Sequence, residues 1–112
     1  MTEEARKTYL VFEIKVDDHE AYEAYRKEAR KALDEIGGGG QLLIRGGTLF
    51  PGAITETIEG DWMPERFVVV EFPSRQAAKD YYFSDTYQEV LKLRQASSTA
   101  RALMITPEPA DA

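Results

Sequence analysis

The sequence contains no cysteine and a single histidine, His19. The absence of cysteine excludes disulfide bonds, thiolate metal sites and cysteine nucleophiles, and one histidine excludes a histidine-rich metal cluster. His19 also falls in the first turn of a charged predicted helix, which is a poor place for a haem ligand. We therefore expect no metal and no other cofactor.

Long apolar runs and an excess of basic residues are also missing. No run approaches the roughly 18 apolar residues of a membrane-spanning helix, and the charged first seven residues do not resemble a signal peptide. Lys and Arg number 14 against 20 Asp and Glu, so the net charge is −6. Binding to nucleic acid or to an anionic membrane surface needs the opposite balance. We expect a cytoplasmic protein with neither as a partner.

What is present is the composition of one globular domain. The chain has 112 residues, of which 43% are hydrophobic and 30% are charged. Two domains of half this length would be too small to fold easily alone. The polar ends, 1–7 and 107–112, are predicted to be flexible tails, which leaves 8–106 as a single domain.

Hydrophobic periodicity predicts the order β-α-β-β-α-β. Alternating apolar residues are typical of strands, which we predict over 8–16, 41–45, 66–72 and 100–106. The first helix begins near Asp17, which has capping-box spacing to Glu20, and ends at a run of four glycines. The second helix follows Ser74 and is expected to break near Ser84.

Residues 48–61 have a pattern of their own. Pro51 and Gly52 signal a turn, and residues 54–59 alternate as a strand does. We expect a long hairpin arm between the second and third strands.

This order is that of a ferredoxin-like α+β fold, with a four-stranded antiparallel sheet and the helices on one face. The other face would carry an apolar set that is too large to leave wet on a monomer. A second copy packed face to face would cover it, so we expect a homodimer. The apolar set is Val11, Leu43, Phe67, Val69 and Leu103.

Four motifs together with Arg94 make the chain resemble one uncharacterised family, a domain of unknown function in the dimeric α/β-barrel superfamily. The resemblance extends from Tyr9 to Ile105. The motifs lie at 43–47, 59–66, 70–74 and 84–87. His19 departs from the family pattern, in which proline is expected.

The resemblance implies a ferredoxin-like fold paired into a dimeric α/β barrel, and no established reaction. The superfamily includes cofactor-independent monooxygenases, lactone isomerases, haem enzymes and stress-response proteins. Fold alone therefore leaves the function open.

Three charged residues are predicted on the face turned toward the partner sheet, where unpaired charge is costly. They are Glu13, Arg45 and Glu71. We take Glu71 and Arg45 as the candidate catalytic residues, with Glu71 or Glu13 as a base and Arg45 stabilising an oxyanion. The alternative is a structural ion pair, or charges at a wet barrel mouth.

Four further positions are candidates for ligand binding. Trp62 would form the wall or lid of a pocket, and Arg66 would bind an anionic group. Glu13 and Phe67 would line the same space. The alternative is that Trp62 packs the arm on the barrel and Arg66 pairs with Glu59.

Three functions remain open at this point. The first is a homodimer that binds a small organic molecule in its barrel cavity. The second is a cofactor-independent monooxygenase or isomerase with a carboxylate base. The third is a stress or interaction protein whose barrel is filled by side chains. Whether the protein is an enzyme is not decided by its sequence.

Overall fold

The computed structural model describes residues 6–109 of the chain. Seven elements follow one another in the order predicted. They are β1 (Thr8–Val16), α1 (His19–Ile36), β2 (Gln41–Gly46), β3 (Arg66–Phe72), α2 (Arg75–Tyr82), α3 (Asp85–Ser97) and β4 (Ser98–Ile105). The predicted tails, 1–7 and 107–112, include residues 1–5 and 110–112, which lie outside the described range.

The four strands form one antiparallel sheet in the order β2-β3-β1-β4. Val11 of β1 lies opposite Val69 of β3 and Leu103 of β4, so these three share a face. The ferredoxin-like α+β prediction is confirmed.

The core lies between the sheet and the three helices. Alternate residues of β1 point into it, because successive side chains of a strand face opposite sides. These are Leu10, Phe12, Ile14 and Val16, all buried against Leu33, Tyr22, Tyr87 and their neighbours. We call this side of the sheet the helix face and the other the open face.

Each helix begins at a side-chain cap that accepts a hydrogen bond from a backbone N–H two or three residues on. Asp18 accepts from Ala21 at the start of α1, so the cap is one residue later than the predicted Asp17. Ser84 accepts from Tyr87 at 3.0 Å and begins α3 two residues after α2 ends, which confirms the predicted break.

A β-bulge in β2 overturns one part of the predicted strand. Leu42 pairs with Val70, but the next paired residue, Ile44, lies opposite Val69. Leu43 is thus an extra residue, and it reverses the side that every later residue of β2 faces. Arg45 lies opposite Val68 on the helix face instead of the open face.

The connection between β2 and β3 is an irregular loop, so the predicted hairpin of strands over 48–61 is wrong. No strand occurs between Gly46 and Arg66. The turn at Pro51-Gly52 does form, closed by a 2.9 Å bond from Ala53 N to Phe50 O. The alternating apolar residues of 54–59 do not gain burial that would favour a strand, since Ile54 is 99% and Ile58 is 91% exposed.

Backbone hydrogen bonds join the first residues of the loop to its last residues. Thr48 N donates to Pro64 O at 3.0 Å, and Leu49 N donates to Glu65 O at 2.9 Å. Gly47 allows this approach, because its φ is +109° and an added Cβ would lie 2.4 Å from Glu65 O. Phe50 is thereby fixed close to the sheet.

Within residues 6–109, no helix combines the length and the apolar character needed to cross a bilayer.

Candidate functional site

A cavity of about 120 Å³ lies between the helices and the helix face of the sheet. Its walls come from α1, α2, α3, three strands and the β2–β3 loop, so every layer of the fold contributes. Sequence reasoning placed the site on the opposite side of the sheet. The walls include Phe12, Tyr22, Tyr25, Phe50, Tyr81 and Tyr87.

The tyrosines of this wall form one hydrogen-bonded aromatic cluster. The hydroxyls of Tyr25 and Tyr87 share a buried hydrogen bond of 2.9 Å. Tyr81 donates to Ala29 O at 3.4 Å, and its ring centroid lies 4.9 Å from that of Tyr87. Burial raises the pKa of Tyr25, Tyr81 and Tyr87 above the ordinary phenol value, so all three stay neutral at neutral pH.

Arg66 stands in the cavity wall because it lies opposite Ile14 on the helix face. Its guanidinium carbon is 4.2 Å from the centroid of the Phe50 ring and 5.0 Å from that of Tyr22. Its Nε is buried and has no hydrogen-bond partner. The predicted alternative, a pair with Glu59, is not formed.

Arg45 also lines the cavity, with its guanidinium carbon 6.0 Å from the centroid of Phe50. Two more arginines in the wall are already paired, Arg26 with Glu23 at 2.6 Å and Arg30 with Asp34 at 3.4 Å. Neither Arg45 nor Arg66 has an ion-pair partner among residues 6–109. No Asp or Glu lines the cavity itself. Of the two arginines without an ion-pair partner, Arg66 is half-buried and Arg45 is exposed to solvent.

The open face gathers three of the predicted site residues. Glu13 accepts hydrogen bonds of 2.7 Å from Trp62 Nε1 and from Arg101 Nε. The Trp62 and Phe67 rings meet edge to face at 5.9 Å. The hydrogen bond from Trp62, followed by that from Arg101, lowers the pKa of Glu13 below its ordinary value. Glu13 is therefore held as a carboxylate acceptor.

Glu71 lies elsewhere on the open face. Its Oε2 accepts a 3.1 Å hydrogen bond from the Tyr9 hydroxyl, and its Oε1 is 3.6 Å from Lys7 Nζ. The bond to Glu71 raises the pKa of Tyr9. The predicted juxtaposition of Arg45 and Glu71 is not formed, because the bulge at Leu43 turns Arg45 to the other side of the sheet.

Phe50 is the cavity residue that sequence reasoning missed. It lies in an irregular loop, where no periodicity points to burial. The tyrosines recur at helical spacing in the sequence, but such spacing does not tell whether a stripe of aromatic residues fills a core or leaves a cavity. Among the described residues, no group of three or more His, Asp or Glu is placed to hold a metal ion.

Comparison with known proteins identifies a family and a fold. The model of a family described as a domain of unknown function, DUF1330, matches residues 7–107, nearly the whole chain. The sequence has no significant match among curated proteins.

Several solved structures share the fold. A protein of unknown function from Rhodopseudomonas palustris is 19% identical with a TM-score of 0.71, over 94% of this chain and 85% of that one. A hypothetical protein of Arabidopsis thaliana is 15% identical with a TM-score of 0.67, over 98% and 96%. SnoaB, a cofactor-independent oxygenase from Streptomyces nogalater, is 11% identical with a TM-score of 0.62, over 95% and 97%. At such identities the likeness concerns the fold alone.

Proposed function

The chain belongs to the DUF1330 family, and we propose that it binds a small aromatic anion in the cavity between its helices and its sheet. The observation that carries the proposal is the pair of guanidinium groups, Arg45 and Arg66, that face an aromatic cavity without an acidic partner among the described residues.

The volume of the cavity sets the size of the ligand. An engineered apolar cavity of about 150 Å³ holds one benzene molecule. The cavity here, about 120 Å³, is of that order, so it suits a single ring. A molecule of several fused rings would require the loop that carries Phe50 to move.

The charge of the ligand follows from the arginines. A guanidinium removed from water is costly unless an anion or an aromatic face compensates it. Phe50 and Tyr22 compensate Arg66 in part, through cation–π contacts. The Nε of Arg66 remains a buried donor without an acceptor, and a ligand carboxylate or phenolate would supply one.

Thermal melting with benzoate tests this proposal, with benzyl alcohol as an uncharged ligand of similar shape. Benzoate is expected to raise the melting temperature saturably and benzyl alcohol to raise it much less. Arg66→Met should abolish the difference, since a buried charge-assisted hydrogen bond is lost.

The matched control is Lys92→Met, which removes a cation from the exposed surface of α3. It should keep the full benzoate response. Equal responses to benzoate and benzyl alcohol in the unaltered protein, or no response to either, would overturn the proposal.

The enzyme alternative, a monooxygenase or isomerase with a carboxylate base, finds less support. The cavity wall contains no carboxylate, and the lowered pKa of Glu13 disfavours proton abstraction near neutral pH. A role for Glu71 would place chemistry on the open face, away from Arg45. The likeness to SnoaB supports a shared fold and carries no residue across.

We also propose that two copies pair through their open faces, in the cytoplasm. Leu103 is 63% exposed, and Ile44, Ile105 and Trp62 are each about half exposed on the same side. An apolar surface of this extent is unusual for a monomer. The third alternative, a barrel filled by side chains, concerns the space between the two sheets, and it stays a prediction.

A further inference from the structure

Arg94 of α3 is a buried cation outside the cavity wall. Arg94 is only 5% exposed. Its guanidinium carbon lies 5.2 Å from the centroid of the Phe12 ring and 6.0 Å from that of the Tyr25 ring. Its Nε is buried without a hydrogen-bond partner. Within the described part of the chain, no carboxylate comes within 4.0 Å of it. Arginine is almost never buried to this degree unless it is paired.

A groove of about 290 Å³ opens beside Arg94, between the α2–α3 region and the edge strand β4. It exists because β4 turns small side chains, Ala100 and Ala102, toward the helix face, where the helices do not cover them. The groove contains hydrogen-bond donors and no acid. Its lining consists of Tyr82, Arg94, Gln95, Ser98, Ala100 and Ala102.

We propose that Arg94 is the centre of a second anion site, in which the groove binds a small carboxylate. The guanidinium would pair with the carboxylate, and the Gln95 amide is the neighbouring donor, since the Ser98 hydroxyl already donates to Arg94 O at 2.6 Å. One cation without an acidic partner suits a monocarboxylate better than a dicarboxylate. This site rests on residues other than those of the cavity, although Phe12 and Tyr25 lie between the two.

The competing explanation is structural. Cation–π contacts with Phe12 and Tyr25 would then satisfy Arg94 without any ligand. In that case the groove holds only water, and added carboxylate has no specific effect.

Thermal melting with sodium acetate separates the two explanations. Acetamide has the shape of acetate without its charge, and sodium chloride keeps the ionic strength constant. We expect acetate to raise the melting temperature saturably, by about 4–8 °C at about five times its dissociation constant. Acetamide should have no such effect. Because this comparison uses the unaltered protein, it does not depend on any variant folding.

Two substitutions locate the response. Arg94→Met should abolish the acetate effect, and Lys92→Met, on the same helix but at the surface, should preserve it. Equal shifts with acetate and acetamide, no saturation, or a full acetate response in Arg94→Met would each overturn the proposal.

The two anion sites can fail independently. Arg66→Met should remove the benzoate response and leave the acetate response. A benzoate response that survives Arg66→Met but is lost in Arg94→Met would contradict the cavity proposal and support the groove. Loss of the acetate response in Arg66→Met alone would contradict the groove.

Discussion

At the scale of single residues, the hydrogen-bonded pair Tyr25 and Tyr87 both stabilises the core and forms part of the cavity wall. Tyr25 on α1 and Tyr87 on α3 each give the other its hydroxyl partner. Tyr87 is also in ring contact with Tyr81 and Tyr82 of α2, so contacts with both α1 and α2 fix its position.

The two hydroxyls should therefore not contribute independently to stability. Tyr25→Phe leaves the buried Tyr87 hydroxyl without its hydrogen-bond partner. We therefore expect the free energy of unfolding to fall by about 1–3 kcal/mol. The double change to Phe should cost less than the sum of the single changes. Urea denaturation of the three variants measures this. Additive losses would show that the two hydroxyls act independently.

At the scale of elements, the loop between β2 and β3 depends on one glycine. Gly47→Ala places a Cβ against Glu65 O at a positive φ, and both effects are unfavourable. We expect a loss of stability of about 2 kcal/mol or more, and weaker benzoate binding because Phe50 shifts.

Gly52→Ala is the matched control for this change. An added Cβ at Gly52 has no atom within 4 Å, and its φ needs no glycine. Melting temperatures of the two variants should differ by several degrees. A Gly47→Ala protein as stable as Gly52→Ala would mean that the base of the loop relaxes freely.

Strand periodicity predicted this fold well where one face is apolar and the other mixed. β1 and β3 have that pattern, and their bounds follow it. β2 does not, because Leu42, Leu43 and Ile44 are all apolar, so the extra residue at the bulge leaves no mark in the pattern. The predicted site failed at the same point: alternation placed Arg45 beside Glu71, and one bulged residue separates them.

At the scale of the whole molecule, the open face determines assembly. Val69→Glu is the obvious disruption, but Val69 is only 8% exposed within a single chain, so that change tests folding as well. Leu103→Glu is sharper, since Leu103 is exposed in a single chain and would be buried only by a partner.

We expect Leu103→Glu to shift the protein from a species of about twice 12.7 kDa to a folded monomer of that mass. An unpaired charge in a dry interface costs several kcal/mol. Light scattering with circular dichroism measures both properties. Leu93→Glu, on α3, is the control and should remain dimeric. A monomeric unaltered protein at micromolar concentration would contradict the pairing.

The bulge in β2 also makes the two edges of the sheet unequal. β2 and β4 are the outer strands, and each presents backbone N–H and C=O groups to the solvent. The bulge at Leu43 interrupts the regular spacing of these backbone groups on β2. β4, by contrast, pairs with β1 in unbroken register from Ser98 to Ile105. Fibrillar growth, which proceeds by adding strands to an open edge, would therefore be templated at β4 and resisted at β2.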